Sequence, residues 1–206
     1  MSILNEILPG IYSWSEFSEE KQLNFNGYYL THNGEAVLID PPEFQEEGLE
    51  ELETRVAADS DFPLKAILLT NAHHCRASQA LKARLFIPVY LNELDSDLLE
   101  FPPDQTFSGG ETVFGGLRVI GFNDQKTRGE SAFYLQEKKL LIVGDALIGK
   151  VPGRVNLLPP DKYKDIARTK QGLQVLRDYE FDALLVGDGE SILSGAKSRV
   201  LEFLDS

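Results

Sequence analysis

Four short segments carry most of the side chains able to do chemistry. Asn71-Ala72-His73-His74-Cys75-Arg76 follows the apolar run Ala66 to Leu69. Asn123 to Lys126 follows Phe122, Gly144-Asp145 follows Leu140 to Val143, and Gly187-Asp188 follows Ala183 to Val186. Imidazole, thiolate and carboxylate are the donors that hold zinc and similar ions. One reading is therefore a single divalent metal, zinc by donor type, among His73 or His74, Cys75, Asp145 and Asp188. Consecutive residues diverge in direction, so His73 and His74 seldom serve one ion, and a metal-free polar pocket is the simpler account. Cys75 beside Arg76 could carry a lowered thiol pKa and act as a nucleophile; a partly buried, inert thiol is simpler. Asp40 reads as a structural acceptor, His32 as exposed, and Glu130 near Lys126 and Arg128 as a rim ion pair. Arg154, in the long loop after Asp145, is a candidate grip on an anionic substrate or simply exposed. Gly144 and Gly187 read as tight turns, and no Gly-rich phosphate loop is present.

Strand and helix patterns alternate along the chain and place each of these segments at a strand end. Ile11 to Trp14 follows the breaker Pro9-Gly10. Phe25 to Thr31 and Ala36 to Ile39 flank Asn33-Gly34, a hairpin signal. Glu47 to Ala58 has apolar residues at helical spacing, and Ser78 to Leu85 also looks helical. Ile87 to Leu91 reads as another strand, in which Pro88 suits an edge or a strand start better than a centre. Thr112 to Phe122 holds a hairpin at Gly115-Gly116, and Ala132 to Leu135 pairs with Leu140 to Val143 across a charged turn. Tyr163 to Tyr179 is the longest expected helix; Ala183 to Val186 is a last strand and Ile192 to Phe203 a last helix. Strand ends are where open α/β sheets place their sites.

The 206 residues suit one domain, 1–206, with a sizeable core. The chain has 33 acidic and 20 basic residues, a net charge of −13. Such a surface repels nucleic acid and anionic lipid unless a basic patch is built locally. The densest basic stretch, Lys162 to Lys170, is interleaved with acids and reads as a solvated helix face. The expectation is a small-molecule ligand, with no nucleic acid and no membrane partner. Met1 to Pro9 has neither the basic region nor the apolar run of a signal peptide or anchor. With a lone cysteine, a cytoplasmic location is expected.

The order of these segments resembles the metallo-β-lactamase superfamily, and within it the glyoxalase-II-like hydrolases. Asn26-Gly27-Tyr28-Tyr29-Leu30 and Ala36-Val37-Leu38-Ile39-Asp40 resemble the opening hairpin and its structural Asp. Leu68-Leu69-Thr70 resembles the strand that leads into the motif His-x-His-x-Asp-His. Gly129-Glu130-Ser131-Ala132, Val143-Gly144-Asp145-Ala146 and Val186-Gly187-Asp188-Gly189 resemble the later metal-bearing segments, and Ser194-Gly195-Ala196-Lys197 the opening of the closing helix. The resemblance implies an α/β fold, a four-layer αβ/βα sandwich, and hydrolysis of small-metabolite esters or thioesters.

Carried over one residue at a time, the motif histidines fall on Asn71 and His73, its Asp on Cys75 and its last His on Arg76. The next metal His falls on Lys126, with Asn123 and Asp124 as neighbours able to replace it. The bridging Asp falls on Asp145 and the final His on Asp188. Two of the seven positions, His73 and Asp145, keep a family ligand. Guanidinium stays protonated and cannot coordinate, so Arg76, with Lys126, is expected to neutralise Asp145 and Asp188 where metals would stand. His73 and Asp145 are the expected catalytic pair; Asn71, His74, Cys75, Arg76, Lys126 and Asp188 line the pocket. No cofactor is expected. The alternatives are one zinc on His73, Cys75, Asp145 and Asp188, or a non-catalytic protein that binds a small anion in the old cleft.

Overall fold

The computed structural model describes residues 3–206; Met1 and Ser2, which open the expected N-terminal segment and domain, lie outside the described residues. The first sheet contains β1 (Asn5–Leu8), β2 (Ile11–Ser18), β3 (Leu23–His32), β4 (Glu35–Ile39), β5 (Leu64–Leu68), β6 (Val89–Asn92) and β7 (Gln105–Phe107), side by side in chain order. It is antiparallel through β4 and parallel from β4 to β7. The second sheet contains β8 (Thr112–Val113), β9 (Leu117–Gly121), β10 (Ser131–Leu135), β11 (Leu140–Val143) and β12 (Ala183–Val186). Only its last pair, β11 and β12, is parallel. Among the described residues four α-helices complete the fold: α1 (Glu46–Ala58), α2 (Ser78–Leu85), α3 (Ile166–Gly172) and α4 (Ala196–Leu204).

The period-2 geometry of strands explains the layering. Val37, Ile39, Ala66 and Leu68 of the first sheet meet Val119, Phe133, Ile142 and Leu185 of the second in one buried core. Their sequence neighbours point the other way. Leu38 and Ile67 pack with Leu52 of α1 and Leu81 of α2. Ala132, Leu141, Val143 and Leu184 pack with Leu173, Leu176 and Val200. Each central strand is thus buried on both faces, which is why β4, β5, β10, β11 and β12 read as continuous apolar runs. The result is the expected four-layer αβ/βα sandwich.

Some local expectations differ. β1 precedes the first expected strand; its Asn5 and Glu6 are exposed, which hid it. The single helix expected over Tyr163 to Tyr179 is α3 followed by a 3₁₀ segment, Leu173–Asp178. Asp165 caps its start by accepting from the N–H groups of Ala167 and Arg168. Gly172 ends α3 where the backbone lies so close to Asn123 that a Cβ would overlap the Asn123 carbonyl oxygen. The Asn33-Gly34 hairpin is present, with both residues at positive φ as its tight turn requires.

Phe133 lies in the inter-sheet core, edge to face with Phe107 at 5.6 Å. Phe133→Ala should cost about 3–5 kcal/mol of stability; urea denaturation of the purified variant measures it, and Phe133→Leu should lose less.

Candidate functional site

β5 delivers the chain to Thr70 and then to a 3₁₀ turn, Ala72–His74. Asn71 caps that turn, its Oδ1 accepting from the His73 N–H at 2.8 Å. The turn sends the two histidines in opposite directions. His73 is exposed, whereas His74 is buried at 2 % exposure. Asp40, in the left-handed region at φ 47°, accepts from the Thr70 N–H at 2.8 Å and from the Thr70 hydroxyl at 2.6 Å. Its Oδ2 also lies 2.8 Å from His74 Nδ1, while His74 Nε2 faces Asp145 Oδ1 at 3.4 Å. His74 therefore bridges carboxylates from the two sheets.

Two more cations complete the cluster. Lys126 Nζ donates to Asp145 Oδ2 at 2.8 Å. Arg76 Nη2 donates to Asp188 Oδ1 at 2.6 Å, and its guanidinium stacks 4.5 Å above the Phe25 ring. Arg76 sits at φ 33°, a backbone conformation that side chains seldom adopt. Asp188 is anchored through the chain beside it: the Asn26 N–H donates to the Gly187 carbonyl, and Asn26 Nδ2 to the carbonyls of Val186 and Gly189.

Glu130 is not a rim residue. It is fully buried, and its Oε1 accepts from the N–H groups of Asp145 and Ala146 at 2.9 and 3.1 Å. Burial, then the nearby Asp145 charge, push its carboxyl well above the usual range against the opposing His74 charge, which favours the neutral form. Asp95, which sequence reasoning missed, is also fully buried. It accepts from the N–H of Ala72 at 3.2 Å and of Gly129 at 2.6 Å, tying the loops after β5 and β9 together. An Asp three residues after the Asn92 strand end was its only signal.

Glycine makes room for this packing. A Cβ on Gly187 would overlap Cε1 of His74, and one on Gly144 would overlap the Thr70 hydroxyl. Neither residue has a positive φ, so both serve close approach rather than the tight turns expected of them. Cys75 is half-buried against the core beside α2 and is not among the donor atoms gathered around Asp145. His32 pairs with Glu137 at 2.9 Å. Arg154 lies beside Arg199 and Glu202 of α4; the loop that carries it does not bring it into contact with Asp145.

The electrostatics follow from the geometry. Burial disfavours charge on His74, but the carboxylates of Asp40 and Asp145 overcome it against the opposing Arg76, and its pKa rises to about 10. Asp145 is itself disfavoured by burial, yet His74 and Lys126 hold it well below the usual carboxylate range. Burial raises Asp188 despite its cationic neighbours. Three acids, Asp40, Asp145 and Asp188, thus face three cations, His74, Arg76 and Lys126. His73 is different: it is exposed, and partial desolvation and the Lys126 charge lower its pKa.

The donor set can be tested against the metals that such sites hold. His74, Asp145 and Asp188 offer donor atoms that all lie within 4.8 Å of one another. One nitrogen and two oxygens suit zinc or a similar ion, and Asp40 behind His74 is the partner a metal-bound imidazole usually has. Three protein donors do not fit a metal pair. They fit one ion only after His74 loses its proton and Lys126 and Arg76 release their acids. His74, rather than the expected His73, is the imidazole in this group, and Cys75 is outside it.

The family described as the Metallo-beta-lactamase superfamily matches residues 2–206. The chain belongs to that superfamily. Its fold is similar to a metallo-beta-lactamase from Pontibacter korlensis (TM-score 0.76, 22 % identity, 98 % of each chain covered). It is also similar to a metallo-beta-lactamase family protein from Thermus thermophilus (TM-score 0.68, 23 % identity, 97 % of this chain and 80 % of that one). The metallo-beta-lactamase FIM-1 from Pseudomonas aeruginosa in its mono-zinc form aligns at TM-score 0.75 with 14 % identity, over 98 % of this chain and 94 % of that one. No curated protein matches the chain. Among the described residues, no helix is long and apolar enough to cross a membrane.

Two predictions test this cluster. Gly187→Ala should displace His74 and lower stability by about 1–3 kcal/mol, read as a fall in the denaturation midpoint. The folded-state pKa of His74 lies above its unfolded value, so its contribution is complete below about pH 6.5 and is lost as pH rises through about 10. Stability measured from about pH 6 to 10 should decline over that span, and His74→Gln should flatten the decline.

Proposed function

We propose that this chain is a hydrolase-derived member of the superfamily that binds a small anionic molecule over the Asp145 site and works without a resident metal pair. The carrying observation is that each carboxylate able to hold a metal is already matched by a protein cation: Lys126 and His74 on Asp145, and Arg76 on Asp188. A buried acid cluster needs compensating charge. In this chain, protonated side chains supply what a dication would otherwise supply. The glyoxalase-II-like branch remains the family reading of the sequence segments. If the protein retains hydrolysis of small esters or thioesters, His73 would serve as general base and Lys126 as the charge that stabilises an oxyanion.

A second reading has its own support: the convergence of His74, Asp145 and Asp188 with Asp40 behind the imidazole favours a single divalent ion. Bound there, the ion would act as a Lewis acid and lower the pKa of water. Metal analysis of protein purified without chelator separates the readings. Zinc, iron and manganese should each be well below one equivalent; a near-stoichiometric ion that His74→Ala removes would establish the second reading instead. Removing the competing cation should open the site, so Lys126→Ala should bind added zinc more tightly than the parent, by tenfold or more in a competition titration. A panel of ester, thioester and lactone substrates addresses turnover: activity abolished by His73→Ala would make the protein an enzyme. Silence throughout, with ligand-induced thermal shifts, would make it a binder.

A further inference from the structure

A second feature adjoins this cluster. The loop after β9 and the segment leading into α3 flank an open hollow of about 520 Å³. That volume is suited to a small metabolite. Lys126, Arg128, Lys162, Lys164 and Arg168 all line it, against three acids, Asp124, Asp161 and Asp165. A net positive hollow is notable on a chain of net charge −13. The basic stretch 162–170 is largely exposed, as a solvated face would be, but three of its bases converge on this hollow.

Three acids line the hollow against five bases, of which Lys126, Arg128, Lys162 and Arg168 each have an acidic partner inside or beyond it. Asp165 Oδ1 is committed to the N–H groups of Ala167 and Arg168, and the carboxylate is 3.9 Å from Arg168. Asp161 pairs with Lys162 at 3.2 Å. Arg128 has only a distant surface partner, Asp97, at 3.6 Å, and Lys164 has no ion-pair partner among the described residues. Thr127 adds a polar group: it is 5 % exposed, and its hydroxyl has no hydrogen-bond partner among the described residues. A buried hydroxyl rarely goes without a partner, and this one belongs to a residue on the cavity wall.

We infer that this cavity is a subsite for a phosphate monoester, which holds the phosphate of a small molecule whose remainder reaches the Asp145 cluster. Several ammonium and guanidinium groups around one hollow suit a dianion better than a monoanion. The net charge of −13 on the whole chain disfavours a polyanionic polymer. Lys126 links the two regions, since it lines the cavity and also donates to Asp145. The inference rests on the anion-binding reading above and gives its ligand a chemical class.

The experiment is calorimetric titration of the full chain with phenyl phosphate and with benzoate at fixed ionic strength. Phenyl phosphate should bind at least tenfold more tightly than benzoate. Lys164→Ala/Arg168→Ala should weaken phenyl phosphate at least tenfold while leaving benzoate within twofold. Both positions are exposed, and an unchanged thermal midpoint without ligand certifies the fold. Lys164→Glu alone should give the same direction of loss. Equal affinity for the two probes, or phenyl phosphate binding unaltered in the double variant, overturns the subsite. If benzoate binding persists and is lost only in Lys126→Ala, the anion-binding reading stands without the subsite. If neither probe binds the parent protein, both fall.

Discussion

The site depends on one charged group placed where solvent cannot reach it. His74 stands between Asp40 at the end of β4 and Asp145 at the end of β11, and so joins carboxylates from two different sheets. Neither acid would be tolerated so deep without it, and the imidazolium would not keep its proton there without both. The surrounding features serve this arrangement. Thr70 saturates the far side of Asp40, Gly187 leaves space for the ring, and Glu130, whose neutral form burial favours, orients the Asp145 backbone.

The chain has the superfamily's layered scaffold. The ends of central strands still bring polar side chains from both halves of the chain to one place. Three cationic side chains, His74, Arg76 and Lys126, lie among the acids there. A bound ion can leave or exchange, whereas Arg76 is held by Asp188, by the Asn26 carbonyl and by the Phe25 ring. The site is consequently neutral in its resting form, and attraction for an anion has to come from its surroundings.

The sequence made the layers and the location of the site legible because both follow from burial. Strands covered on two faces read as apolar runs, and a polar residue ending such a run has little else to do than line a cleft. Asp145 and Asp188 stand at such strand ends, while Arg76 and Lys126 come to attention through the family resemblance, which implies that they neutralise the two acids without saying which meets which. The motif register favours His73, but a single 3₁₀ turn decides which of two adjacent side chains points inward, and it turns His74 in. Glu130 was misread because a carboxylate flanked by Lys126 and Arg128 ordinarily stays in water; only the N–H groups of Asp145 and Ala146, distant in sequence, justify its burial. Asp95 was missed for the same reason: its partners, Ala72 and Gly129, are remote along the chain.

The clasp between Asn26 and the turn at Gly187 has a kinetic consequence. Its side-chain bonds to Val186 and Gly189 span 160 and 163 residues of chain, among the longest closures the molecule can make. Such contacts form only after a large entropic cost of loop closure has been met. The hairpin of β3 and β4 and the β10–β11 pair can assemble early and locally, while the pocket is completed when β12 docks and its turn reaches back to the first sheet. Completion of the cluster therefore depends on the docking of β12, the segment that carries Asp188 to Arg76.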